Sequence, residues 1–146
     1  MSTANDNRLF FNKEEINGHG DCPTYLYRWT LVRVGDFAIY LHHFVGDDWS
    51  LDYHDHPKRF ISIGLKGGYI EQRPQGPSAA FEAPWIRSFP AEHQHRIVME
   101  KKPADCWTLC IVGQKTREWG FWYHGVDFYP WRDYVDIFGA KRRACP

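Results

Sequence analysis

No stretch of this 146-residue chain is long and apolar enough to span a bilayer. Residues 1–8 are polar and contain no apolar h-region, so no signal peptide is visible and a soluble, cytoplasmic protein is expected. Surplus charge is missing too. Lys and Arg number 18 against 18 Asp and Glu, which removes long-range attraction to nucleic acid or to a membrane surface. The basic run Lys141-Arg142-Arg143 lacks interleaved aromatics and reads as a solvated tail. The four cysteines, Cys22, Cys106, Cys110 and Cys145, form no CxxC pair, and without a secretory signal reduced thiols are expected. Cys106 and Cys110 share a strand face and suit the role of small apolar filler. Repeats and linkers are absent, so residues 1–146 are expected to form a single domain.

What the chain has in quantity is aromatic side chains, with seven Trp, eight Tyr and ten Phe, types that favour strands and pocket walls. Residues 1–8 look like a flexible tip, followed by a short edge strand at 9–11. The loop holding His19 and Cys22 has nothing downstream to complete a metal site and is expected on the surface. Strands are expected at about 24–34 and 37–45, as a hairpin turning at Gly35-Asp36. Further strands are expected at 60–66, 69–73, 83–89, 96–99, 106–112 and 119–124, separated by Gly- and Pro-bearing turns. In the strand at 60–66, Ile61, Ile63 and Leu65 share a face. His42 and His43 fall on opposite faces, one lining the interior and the other the opposite surface, and either could orient a metal ligand. Asp47-Asp48 reads as a solvated turn. The end of the chain changes period: Trp131, Tyr134, Val135 and Phe138 at helical spacing, between Pro130 and Gly139, predict a short helix at about 129–138. Regularly spaced short strands imply an all-β barrel or sandwich, with the barrel at about 24–124.

The chemistry concentrates in Tyr53-His54-Asp55-His56-Pro57 and Pro90-Ala91-Glu92-His93-Gln94-His95-Arg96. In an extended strand His54 and His56 share a face, roughly 6.5–7 Å apart at the backbone, while Asp55 points away. Two such imidazoles can converge on one cation at roughly 2.0–2.1 Å per nitrogen, and a third from the distant segment closes three corners of a site with open positions left. His95 is one candidate for that corner. His93, on the same face if the segment is extended, is the other.

These motifs resemble those of the cupins, whose first motif has the form G-x5-H-x-H-x3–4-E-x6-G and whose second is G-x5-P-x-G-x2-H-x3-N. Here His54-x-His56 is followed by Gly67-Gly68, and Pro90 precedes His95 by five positions. Phe60 stands where the family has Glu, Glu92 where it prefers Gly, and Met99 where it prefers Asn. The chain is also similar to small cupin-like proteins of the pattern HDHP…GGY.E…P.EH.HR. The resemblance implies a double-stranded β-helix, a jelly-roll barrel, with His54, His56 and His95 as ligands of a divalent metal. It also implies a homodimer.

Without the motif glutamate, three neutral imidazoles leave the charge of the ion uncompensated, and an anionic or chelating small-molecule substrate would supply it. Three-histidine cupins of the dioxygenase kind look like this, so Fe(II) is the first expectation, with Zn, Ni or Mn as alternatives. In such an oxidoreductase Glu71 and Tyr69, or Tyr53, are candidates to move protons, and Arg73 or Arg96 to pair with a substrate carboxylate. Glu71 or Glu92 could instead complete the metal site. The other readings are a metal-assisted isomerase, epimerase or lyase acting on a sugar acid, and a binding module that turns nothing over.

Overall fold

The computed structural model describes residues 12–145. The strands are β1 (Glu14–Ile16), β2 (Leu26–Val34), β3 (Phe37–Phe44), β4 (Tyr53–His54), β5 (Lys58–Lys66), β6 (Gly68–Gln72), β7 (Ala79–Glu82), β8 (Trp85–Phe89), β9 (Arg96–Val98), β10 (Cys106–Lys115), β11 (Gly120–Tyr123) and β12 (Asp127–Pro130). One helix, α1 (Trp131–Phe138), follows. A six-stranded antiparallel sheet runs β1-β2-β3-β10-β5-β8, and two three-stranded sheets run β12-β11-β4 and β7-β6-β9. This is the all-β jelly-roll expected, with its one short C-terminal helix. The edge strand expected at 9–11 and the flexible tip at 1–8 lie outside the described residues.

The large sheet has an unusual distribution of side chains. Its register places Arg28 beside His42 and His42 beside Thr108; the next inward row runs Thr30, Tyr40, Cys110, Ser62. The intervening rows are apolar: Trp29, Leu41, Leu109, Ile63 and Ile86, then Val32, Ile39, Ile111 and Ile61. His42, Ser62 and Thr108 are buried, whereas Ile61, Leu65 and Ile86 are exposed, so the polar rows face inward and the aliphatic rows outward. The true core lies at the ends of this face. One cluster joins Leu26, Phe44, Tyr69, Phe81, Ile97, Met99 and Cys106; a second joins Trp49, Phe121 and Tyr134 beneath α1.

Several expectations need correction. Cys22 and Cys145 form a disulfide with Cα atoms 5.6 Å apart, so two of the four thiols are not free. The reason lies in the end of the chain folding back: Ser50 bridges to Arg143 and Ala144 N–H donates to Trp49, which brings Cys145 beside the Cys22 loop. Cys106 and Cys110 stay free, and burial pushes their thiols up to about 12 and about 11, consistent with inert filler. Asp47 and Asp48 are no solvated turn: their carboxylates accept the backbone N–H groups of Met99 (2.6 Å) and Ile97 (2.8 Å), satisfying donors of β9 and of the residue that follows it. Arg142 is not tail either. Its guanidinium grips Asp52 through two bonds of 3.0 and 2.8 Å. The helix begins at Trp131 because residues 127–130 form β12, paired with β11, and Pro130 then supplies the N-cap.

Candidate metal centre

The two histidine segments are joined through their backbones. His54 N–H donates to His95 C=O and His95 N–H to His54 C=O, each at 3.0 Å, a reciprocal antiparallel pair that sets both side chains on one face. His56 is held by its N–H to Ala91 C=O (2.9 Å). Asp55, pointing the other way, accepts from Gly120 N–H (2.8 Å), Arg117 (2.6 Å) and the Trp122 indole (3.0 Å), which pins the short segment between its two histidines. Gly120 is required here because a Cβ would sit 2.1 Å from the Tyr129 carbonyl oxygen.

The result is a nearly equilateral triangle of rings. Centroids of His54, His56 and His95 lie 5.1, 4.7 and 4.8 Å apart, and one ring nitrogen of each lies within 4.8 Å of the others. Burial, and then the neighbouring imidazoles, hold His54 and His56 well below the ordinary histidine range, so both are neutral ligand bases at pH 7. Carboxylates stand behind two of the rings. Asp48 Oδ2 lies 3.4 Å from His54 Nδ1, and Glu71 Oε2 lies 3.4 Å from His95 Nδ1. A carboxylate beside Nδ1 favours the proton there and leaves Nε2 with its lone pair. The His56 and His95 Nδ1 atoms and Glu71 Oε2 are buried without a hydrogen-bond partner. Three imidazoles whose ring nitrogens lie within 4.8 Å of one another are a donor set that fits a divalent cation.

His93 sits elsewhere. Residues 90–93 form a turn, closed by the His93 N–H to Pro90 C=O bond, so the alternation that put His93 and His95 on one face does not apply. Its Nε2 meets Glu71 Oε1 at 2.8 Å on the far side of that carboxylate. Glu71 is fully buried, and Arg73 Nε also donates to its Oε1 (2.8 Å). Burial alone would raise the Glu71 carboxyl; bonds with His93 and Arg73, together with the nearby His95 ring, instead carry it far below the usual carboxylate range. Glu71, His93 and His95 thus form a second ligand-like group sharing one histidine with the first.

A cavity of about 360 Å³ opens on the triangle. His54, His56 and His95 line it together with Arg28, Tyr40, His42, Tyr69 and Trp119. Glu71 and Arg73 are not among its walls; Arg73, Glu92 and His93 line a separate shallow hollow. Tyr69 reaches the cavity, but burial, with Glu71 nearby, raises its hydroxyl well above the ordinary tyrosine value. Tyr53 pairs with Trp122 away from it, and Arg96 is committed to the Ser50 and Asp48 carbonyls and the Gln72 amide. His42 lines the interior and His43 the exterior, where it stacks on Trp107 at 4.0 Å. Arg28 received no weight in the sequence because its segment carries no motif; the signal available was its inward register opposite His42.

The sequence matches no protein-family model and none of the curated proteins. Solved structures are similar in fold. The polyketide cyclase RemF from Streptomyces resistomycificus superposes with a TM-score of 0.63 at 13% identity, over 87% of this chain and 88% of that one. The DMSP lyase DddQ from Ruegeria pomeroyi DSS-3 gives 0.59 at 14% identity, over 80% and 63%. The iron(II) form of HppE gives 0.56 at 12%, over 70% of this chain and 57% of that one, so this chain spans little more than half of that enzyme. An uncharacterized conserved protein with a double-stranded β-helix domain from Klebsiella pneumoniae gives 0.54 at 13% identity, over 79% of this chain and 91% of that one. Strand order and antiparallel pairing agree: the chain has the double-stranded β-helix fold, with a three-histidine cluster at the wall of its barrel cavity.

Proposed function

We propose that His54, His56 and His95 hold a divalent metal ion, Fe(II) first among the candidates, and that the protein is a dioxygenase-type enzyme acting on a small anionic or chelating molecule. The observation that carries this reading is the triangle of three imidazoles, largely withdrawn from solvent, at the wall of a cavity. A bound ion would supply Lewis-acid polarisation and positions for substrate and oxygen. The chain's own contributions are separate. Asp48 and Glu71 orient His54 and His95, and the aromatic walls of Phe60, Trp119 and Phe121 exclude water. Tyr69, the one proton-carrying candidate that reaches the cavity, stays protonated and serves as a hydrogen-bond donor; Glu71 and Arg73 support the triangle from behind it.

A metal-assisted lyase or isomerase is the second reading, favoured by the fold likeness to the DMSP lyase. Anaerobic loading with Fe(II) followed by nitric oxide separates the two. An iron–nitrosyl spectrum together with substrate-dependent oxygen uptake supports the dioxygenase. Tight zinc retention with no oxygen uptake supports the lyase or isomerase. Protein that retains no divalent ion at all overturns the metal centre itself.

A homodimer is the assembly this reading carries, through the outer, largely apolar face of the large sheet. Five strands at about 4.8 Å spacing and three side-chain rows span a face of about 24 by 20 Å, enough for a pair to bury roughly 1,000 Å². Two of these rows are aliphatic apart from Trp29 and Ser88 at their ends, and the third carries Tyr27, His43, Trp107 and Lys66, so a largely apolar face meets its own copy, as a twofold contact requires. Ile61→Lys on β5 is expected to shift the protein to monomer in sedimentation; a wild-type monomer at all concentrations removes this assembly.

A further inference from the structure

We infer that Arg28, fixed by His42 and Tyr40, is a carboxylate receptor in the barrel cavity that the three-histidine centre also lines. The substrate class is then a small molecule with an anionic or chelating group at one end and a carboxylate at the other. This inference rests on the reading of His54, His56 and His95 as the metal-holding end of the same cavity.

The arrangement follows from the inverted sheet. Arg28 and His42 are register partners on the inner face, and the Arg28 Nε–H donates to His42 Nε2 at 3.0 Å. That bond uses the lone pair of Nε2, so His42 presents an N–H at Nδ1 and is a donor rather than a ligand. Burial and then the Arg28 charge hold His42 well below the ordinary histidine range, so it does not add charge. It does not neutralise Arg28 either. The guanidinium lies over the Tyr40 ring at 4.6 Å, which sets its plane and leaves the NH groups free to fork.

No carboxylate among the described residues comes within ion-pair distance of Arg28. Glu14, its register partner on β1, makes no such pair. The acids that line the cavity are already engaged, Asp48 by Ile97 N–H and Asp55 by Arg117 and Gly120. The other cations named earlier have partners: Arg73 on Glu71, Arg142 on Asp52. A half-buried guanidinium held in a cavity without a counter-ion is costly to leave unpaired. A cation held by three neutral imidazoles adds to the same positive field. An anion with two charged ends relieves both. Arg28, and not Arg73 or Arg96, is therefore the arginine positioned for a substrate carboxylate.

Succinate and its half-amide succinamate are suitable probes, since they differ in one terminal charge. In titration calorimetry of zinc-loaded protein, succinate is expected to bind at least about tenfold more tightly than succinamate. Arg28→Gln should level the two affinities at unchanged zinc content, and Arg28→Lys should restore only part of the difference, having charge without the fork. A preference that survives in Arg28→Gln, or no preference in the wild type, overturns the receptor. Metal-free wild-type protein gives an independent reading: succinate, but not neutral succinamide, should slow modification of Arg28 by phenylglyoxal, followed by peptide mass. Absence of protection overturns the receptor whether or not zinc binds. Failure to retain zinc with protection intact overturns the histidine centre alone.

Discussion

His95→Ala is expected to leave purification without the divalent ion that the wild type retains, whereas His93→Ala keeps it. His95 shares the triangle with His54 and His56 and is tied to His54 by two backbone bonds. His93 touches Glu71 and does not line the cavity. Removing one of three ligands should weaken metal affinity by well over about 100-fold, since partners behind the ligands alone contribute about 10–100-fold. Glu71→Gln belongs to the latter group: it keeps the shape, loses the charge beside His95 Nδ1, and should lower affinity by about 10–100-fold. Elemental analysis after purification without added metal, followed by competition with a chromophoric chelator, reads all three. The assignment collapses if His93→Ala empties the protein while His95→Ala leaves its metal content untouched.

The fold and the triangle were legible in the sequence for different reasons. Strand alternation and Gly or Pro punctuation carried the barrel, because both express local backbone geometry. His54 and His56 converge even though β4 ends at His54, since the reciprocal bond to His95 and the fixing of Asp55 do what a longer strand would have done. The choice between His93 and His95 was not legible. It depends on residues 90–93 forming a turn before His95 rejoins a β-pairing, and no period in the side chains announces that.

What stayed hidden are pairings across long separations. Asp48 meets β9, Asp55 meets Arg117, and Cys22 meets Cys145 over a separation of 123. Each involves a residue that is polar or small and so reads locally as loop. The inner and outer faces of the large sheet were hidden for a related cause. Alternation shows that Ile61, Ile63 and Leu65 share a face, but it does not say that the polar face is the inner one. That inversion makes sense only with the cavity: Arg28, His42 and Thr108 turn inward and line it, and the aliphatic rows are left outside.

Asp52→Ala is expected to destabilise the fold by about 3–5 kcal/mol, the range for removing one partner of a buried ion pair. For a domain of this size that lowers the melting temperature by roughly 10 °C. Asp52 is buried and gathers four donors: Arg142 through Nε and NH2, the Tyr134 hydroxyl at 2.6 Å, and His124 N–H at 3.0 Å. Tyr134 is fully buried on α1 and also meets the Ser50 hydroxyl at 2.8 Å, so this one carboxylate ties the helix and the C-terminal segment to the loop before β4. The pH dependence has a definite sign. Burial works to raise the Asp52 carboxyl, but Arg142, Tyr134 and the His124 N–H outweigh it and hold the group below its ordinary value. A depressed folded-state pKa means the unfolded chain takes the proton first, so the stabilisation is complete above about pH 4 and disappears as pH falls through the folded-state value. Asp52→Asn should therefore lower stability at pH 7 while making the acid limb of the stability curve shallower. Thermal melts of the wild type and Asp52→Asn between pH 7 and pH 3 check this, and parallel curves across that range would remove Asp52 as the acid-sensitive anchor of the C-terminal helix.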